Sequence, residues 1–98
     1  HVLAFNAQAA RESYAELAEI VEPGCATLGS QAKAALLIER LDQLVTASGL
    51  QPRLRDHGVP FDEAPLLARE AMKQTRLLVN NPVEITEMGA QRLYEAAW

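Results

Sequence analysis

Aromatic residues are scarce in this sequence: two Phe, two Tyr and one Trp among 98 residues. Any core must therefore be filled mainly by aliphatic side chains. Cysteine is rarer still. Cys25 stands alone, which excludes an internal disulfide and suits a cytoplasmic protein. No apolar run approaches the ~20 residues that a membrane helix needs, so no membrane partner is expected. The start lacks a basic region followed by an apolar one, so it does not read as a signal peptide. Positive charge is also thin. Nine Lys and Arg face thirteen Asp and Glu, for a net charge of −4. The basic residues are scattered, which argues against a nucleic-acid partner.

What the chain has in quantity is alanine and leucine. Apolar residues make up 49% of it, and those two have the best helix propensities. A chain this long is one domain at most. It can bury roughly 60–65% of its unfolded surface. Read in order, the residues predict about five helical segments and no strand. Val2, Leu3 and Phe5 form the tail of a helix, with Asn6 as a left-handed terminator. A second helix is predicted over 8–21. Ala10, Tyr14, Leu17, Ala18 and Val21 lie on one face of it. Pro23-Gly24 ends it. The strongest helix is predicted over 30–48, with Ser30 as its N-cap. Leu37, Leu41, Leu44 and Val45 form its stripe. Gly49 follows as the C′ glycine, with Leu50 packing back on the last turn.

The stretch Leu50 to Pro60 divides the chain into two helical halves. Pro52 and Pro60 interrupt helix there, and Gly58 supports a turn. Leu50, Leu54 and Val59 are expected to pin this connector to the core, with Arg53, Arg55 and Asp56 outside. Asp62 is the candidate cap of a helix reaching about Thr75, buried through Leu67, Ala68, Ala71 and Met72. Asn80-Asn81-Pro82 breaks the chain. Thr86 caps a last helix from Glu87 to about Ala97. The links are short, so neighbouring helices are expected to run roughly antiparallel. The fold class is all-α, a bundle of about five helices over residues 1–98.

The chemistry-bearing residues do not converge in sequence. His1 and His57 are far apart, and no HExxH, CxxC or EF-hand spacing occurs. Cys25 reads as a bystander thiol in a loop, and His57 as a turn residue. Adjacent Asp62 and Glu63 point about 100° apart on a helix, so they suit capping better than acid–base work. Gly24 and Gly29 lack the spacing of a phosphate-binding loop. Arg53 and Arg55 read as a solvated face. On residues alone this is a helical domain without a visible active site, expected to hold no cofactor or metal itself.

The order of motifs adds more. HVLAFN resembles an LPxVxxFN segment, and Tyr14-Ala15-Glu16-Leu17-Ala18 resembles an RYAxLA helix. Gly49-Leu50-Gln51-Pro52-Arg53-Leu54-Arg55-Asp56-His57-Gly58-Val59 is similar to GLPxxLRDLGV. Asn81-Pro82, then Thr86-Glu87 and Leu93-Tyr94-Glu95-Ala96-Ala97-Trp98, resemble NPRPLTxEDIxxIYxxAW. Together these resemble the C-terminal end of the iron-containing (group III) alcohol dehydrogenases. One departure is plain: Val83 and Glu84 stand where that motif has Arg and Pro.

The resemblance implies the helical domain of a dehydroquinate synthase-like enzyme with two domains. The missing partner is an N-terminal α/β domain that binds NAD(P). The resemblance also implies a divalent metal, iron or zinc, held by one Asp and three His. The last of these histidines falls upstream of His1. The chain is thus expected to be a C-terminal fragment, inactive alone. The segment before Asn81-Pro82 approaches substrate in that family, which makes Leu77, Leu78 and Asn80 the candidate pocket lining. Apolar surface near Val2, Leu3 and Phe5 is expected to be exposed and to favour a homo-oligomer. The competing expectation is a stand-alone helical interaction module. A related polyol dehydrogenase is disfavoured by the closing NNP…LYEAAW pattern.

Overall fold

The chain folds into helices and turns only, as seen in a computed structural model that describes all 98 residues. Six α-helices follow one another: α1 Val2–Asn6, α2 Arg11–Val21, α3 Ser30–Ala47, α4 Ala64–Ala71, α5 Thr75–Leu78 and α6 Glu87–Ala96. Three 3-10 turns lie between them, at Pro23–Cys25, Leu54–His57 and Phe61–Glu63. The chain divides into two compact units, Val2–Leu50 and Gln51–Trp98. The break falls at the start of the proline-flanked connector: Leu50 ends the first unit, and the rest of the connector, Gln51 to Pro60, belongs to the second.

The first unit is built on α2 against α3. Ala10, Tyr14 and Ala18 meet Cys25, Ala34 and Leu37 in its core, with Leu3, Leu36 and Leu41 half-buried around them. Cys25 is only 3% exposed. The 3-10 turn after Pro23 carries its thiol inward, so the loop residue becomes a core residue. Asn6 is buried at the end of α1 and keeps a negative φ. It does not take the left-handed terminator's conformation. Its carbonyl instead accepts from Ala10 N at 2.9 Å and leads the chain towards α2.

Polar ties across α2 and α3 set their direction. Ser30 Oγ donates to Glu12 Oε1 at 3.0 Å, and Arg40 Nη2 donates to Glu22 Oε2 at 2.9 Å. Both ties advance together along the two helices. The pair therefore does not run antiparallel. The link from Glu22 to Gly29 carries the chain back before α3 begins. Ser30 is also not the cap. Gly29 holds that position without a side-chain bond, and the Ser30 hydroxyl is spent on Glu12.

The predicted stripe on α3 is buried only at its upper end. Leu37 is 4% exposed, whereas Leu44 is 61% exposed. Leu17 and Val21 on α2 are likewise open. Helical spacing places side chains on one face but does not say what covers it. Gly49 does take a left-handed φ of 75° after α3. Leu50 does not fold back, being 68% exposed. Val2 and Phe5 are exposed, and Leu3 packs on the core.

The second unit is closed by its last residue. Leu54 N donates to Ala97 O at 3.0 Å, and Trp98 Nε1 donates to Val59 O at 2.8 Å. Phe61 meets the Trp98 ring edge-on, with centroids 5.3 Å apart at 76°. The Arg55 guanidinium stands 5.5 Å from the Trp98 ring centre. Leu54 and Val59 are half-buried, so they contribute to the pin as expected; Leu50 does not. Gly58, with φ of 76°, turns the connector after Leu54–His57. His57 Nε2 sits 2.9 Å from the Gln51 carbonyl, as a turn residue would.

Helix α4 packs on α6 through Ala64, Ala68 and Ala90. Phe61–Glu63 forms a 3-10 turn before α4, and Asp62 makes no cap. Pro65 sits in the first turn of α4, where its missing N–H costs nothing. The helix stops at Ala71, and Thr75–Leu78 is a separate turn of helix. Thr86 does cap α6: its hydroxyl accepts from Gly89 N at 3.0 Å.

Candidate functional site

The break at Asn80-Asn81-Pro82 shapes a cleft in the second unit. Helix α5 ends just before it, and the chain then bends over 81–83 and continues without regular structure to Thr86. The space between has a volume of about 470 Å³. Met72, Leu78, Val79 and Ile85 give it apolar walls, and Thr75, Asn81 and Glu84 add polar groups. Asn81 Nδ2 donates to Val83 O at 2.6 Å and so stiffens the rim. No Lys or Arg lines the cleft.

The three candidate residues separate. Leu78 lines the cleft. Leu77 is 60% exposed and turns away from it. Asn80 is also outside the lining, and its Nδ2 donates back to Arg76 O at 3.0 Å. One helical turn explains this split, because neighbouring residues point about 100° apart. Met72, Val79, Glu84 and Ile85 were not among the sequence candidates. Val79 borders Leu78 in sequence, but Ile85 and Glu84 come from beyond Pro82. Only the fold brings those two back to α5.

A second hollow lies in the first unit, about 500 Å³ in volume. Ala4, Ala7 and Ala34 floor it, with Gln8, Arg11 and Gln31 at its polar edge. It contains no acid–base pair and no nucleophile. Nearby, Arg11 Nε and Ser30 Oγ both donate to Glu12, at 3.1 and 3.0 Å. The Ser30 hydroxyl and then Arg11 hold the Glu12 carboxyl below its ordinary pKa. This tie joins α2 to α3 and is structural in kind. Further along, Arg40 bonds to Glu22 and Gln43 while its Nε is buried without a partner.

No three His, Cys, Asp or Glu side chains converge anywhere on a common point. A divalent metal held by the usual three or four ligands therefore does not fit these residues. No helix is long and apolar enough to cross a membrane.

Comparison with known proteins gives the context for the cleft. Lactaldehyde reductase of Escherichia coli (strain K12) is 29% identical over 98 residues, covering 100% of this chain and 25% of that protein. Long-chain-alcohol dehydrogenase 1 of Geobacillus thermodenitrificans (strain NG80-2) is 31% identical over 61 residues, covering 62% of this chain and 15% of that protein. The chain thus spans about a quarter of the length of the first of these relatives. No solved structure gives a significant match. The model of the Fe-containing alcohol dehydrogenase family, C-terminal, matches residues 1–98. The resemblance carried by the connector and the closing motif is thereby shown, and the chain belongs to the C-terminal part of the Fe-containing alcohol dehydrogenase family.

Proposed function

We propose that this chain is the helical C-terminal part of a metal-dependent, NAD(P)-linked alcohol dehydrogenase. Its own contribution is one wall of the substrate site, formed by the cleft at Leu78. The observation that carries this reading is the family match over all of residues 1–98. The cleft adds apolar walls next to the Asn81-Pro82 break, in a volume suited to a small molecule.

The metal ligands and the nucleotide site are assigned to other polypeptide of the enzyme, since lactaldehyde reductase is about four times as long as its match to this chain. A metal there supplies polarisation of the alcohol or carbonyl oxygen, and nicotinamide accepts or gives the hydride. The residues present here do neither. They bind the carbon chain of the substrate, orient it and keep water from it. The chain alone is accordingly inactive on this reading. Exposed Val2, Phe5, Ile20 and Leu44 meet the additional polypeptide or a second enzyme subunit. A cytoplasmic setting suits the unpaired, buried Cys25.

Steady-state kinetics of the full-length enzyme carrying Leu78→Ala test this reading. The KM for the alcohol is expected to rise about tenfold, with the KM for NAD(P) unchanged. An unchanged alcohol KM contradicts the assignment of the cleft to substrate.

A further inference from the structure

The walls of the α5 cleft differ sharply in charge. Met72, Leu78, Val79 and Ile85 offer only carbon and sulfur. Each substrate methylene they bury is worth about fourfold in affinity. The Thr75 hydroxyl adds a neutral group that can donate or accept. Glu84 is the one ionisable side chain in the lining. The ion pairs of this chain use Glu12, Glu19, Glu22, Glu70 and Glu87, and none uses Glu84. No cation shares the lining with it. Lys73 is paired with Glu70, and Arg76 lies outside the lining. The cleft therefore presents a negative charge outside any ion pair, beside apolar side chains.

We infer that Glu84 makes the cleft discriminate by charge, turning away substrates that bear a carboxylate or phosphate. Glu84 is a specificity determinant here and takes no part in the reaction. The inference rests on the reading of this cleft as a substrate wall. Its physical basis is separate from that reading: a like charge inside the cleft is repelled, and no cation in the lining answers it.

Nuclear magnetic resonance of the ¹⁵N-labelled chain tests it, with 1-hexanol and hexanoate as probes at pH 7. Hexanol is expected to shift the amides of Leu78, Val79 and Ile85 in a saturable way. Hexanoate is expected to bind about tenfold more weakly, the order set by two like charges at the protein surface. The variant Glu84→Gln is expected to close most of that gap while leaving hexanol binding within about twofold of the parent. Equal binding of hexanoate and hexanol by the parent chain overturns the charge selection and leaves the substrate wall standing. So does a gap that survives Glu84→Gln. Failure of hexanol to shift the cleft amides overturns both readings.

Discussion

The two units of this chain are held together in different ways. Val2–Leu50 hides a tyrosine and a leucine among its alanines, with Cys25 beside them. Gln51–Trp98 hides no side chain larger than alanine; Ala64, Ala68 and Ala90 are its buried residues. In place of a filled core it uses a clasp of Trp98 on Val59, Phe61 and Arg55. The comparison teaches where each unit is vulnerable. The first depends on packing volume. The second depends on a few contacts that reach back along the chain, and it is the unit that carries the cleft. A site on the lightly packed unit fits a surface that must admit a ligand.

The largest expected effect breaks the first unit. Leu37→Ala removes its one buried leucine side chain and is expected to cost about 3 kcal/mol. Urea unfolding measures the loss, and hydrogen exchange locates it in α2 and α3. A loss spread equally over α4 and α6 erases the distinction drawn here. Next is Trp98→Ala. The ring is half-buried, so the expected cost is about 2 kcal/mol, below that of a fully buried aromatic. Faster exchange is expected in the connector and α6. Trp98→Phe keeps the ring contact but leaves the Val59 carbonyl without its donor, for about 1 kcal/mol.

Thr86→Ala comes third. It removes the hydroxyl that accepts from Gly89 N and is expected to destabilise α6 by about 1 kcal/mol. Gly89 is not a free position for a larger residue in compensation. A Cβ there would meet Thr86 Oγ1 at 3.3 Å, so the cap itself occupies the space.

The smallest effect belongs to the exposed tie between α2 and α3. The Glu12 carboxyl is lowered by Ser30 and then Arg11. A depressed folded pKa favours the native state above the unfolded value, and that gain is lost as pH falls through the folded one. The parent is therefore expected to be slightly more stable than Glu12→Gln at pH 7. The difference should begin to shrink near the ordinary glutamate value of about 4.3 and vanish below it. Thermal melts of both proteins between pH 7 and pH 3 check the sign.

Local chemistry was the legible part of this fold. Gly49 took the left-handed conformation after α3, and Thr86 capped α6, because each obeys a rule that spans a few residues. The start of α3 at Ser30 was also legible, although the serine hydroxyl went to Glu12 rather than to an orphan amide. Covering was not legible. Leu44 and Leu50 sit at apolar positions by spacing, yet nothing in these residues packs over them. The clasp was hidden for another reason. Trp98 and Val59 are far apart in sequence, and no periodicity links them. The connector motif and the closing Leu93–Trp98 motif were each visible; their contact was not. The cleft followed the same pattern. Leu78 was named through the family resemblance, with Leu77 and Asn80, and of the three it alone lines the cleft, whereas Glu84 and Ile85 reach the cleft only through the bend of the chain after Asn81.

The central claim is that these residues form a substrate wall and lack the machinery for hydride transfer. Alcohol-dependent reduction of NAD or NADP by the isolated chain, with ferrous iron or zinc supplied, tests it most directly. The expected absorbance change at 340 nm is no greater than that of a protein-free control. A steady, saturable, alcohol-dependent rise with the chain alone would contradict the account.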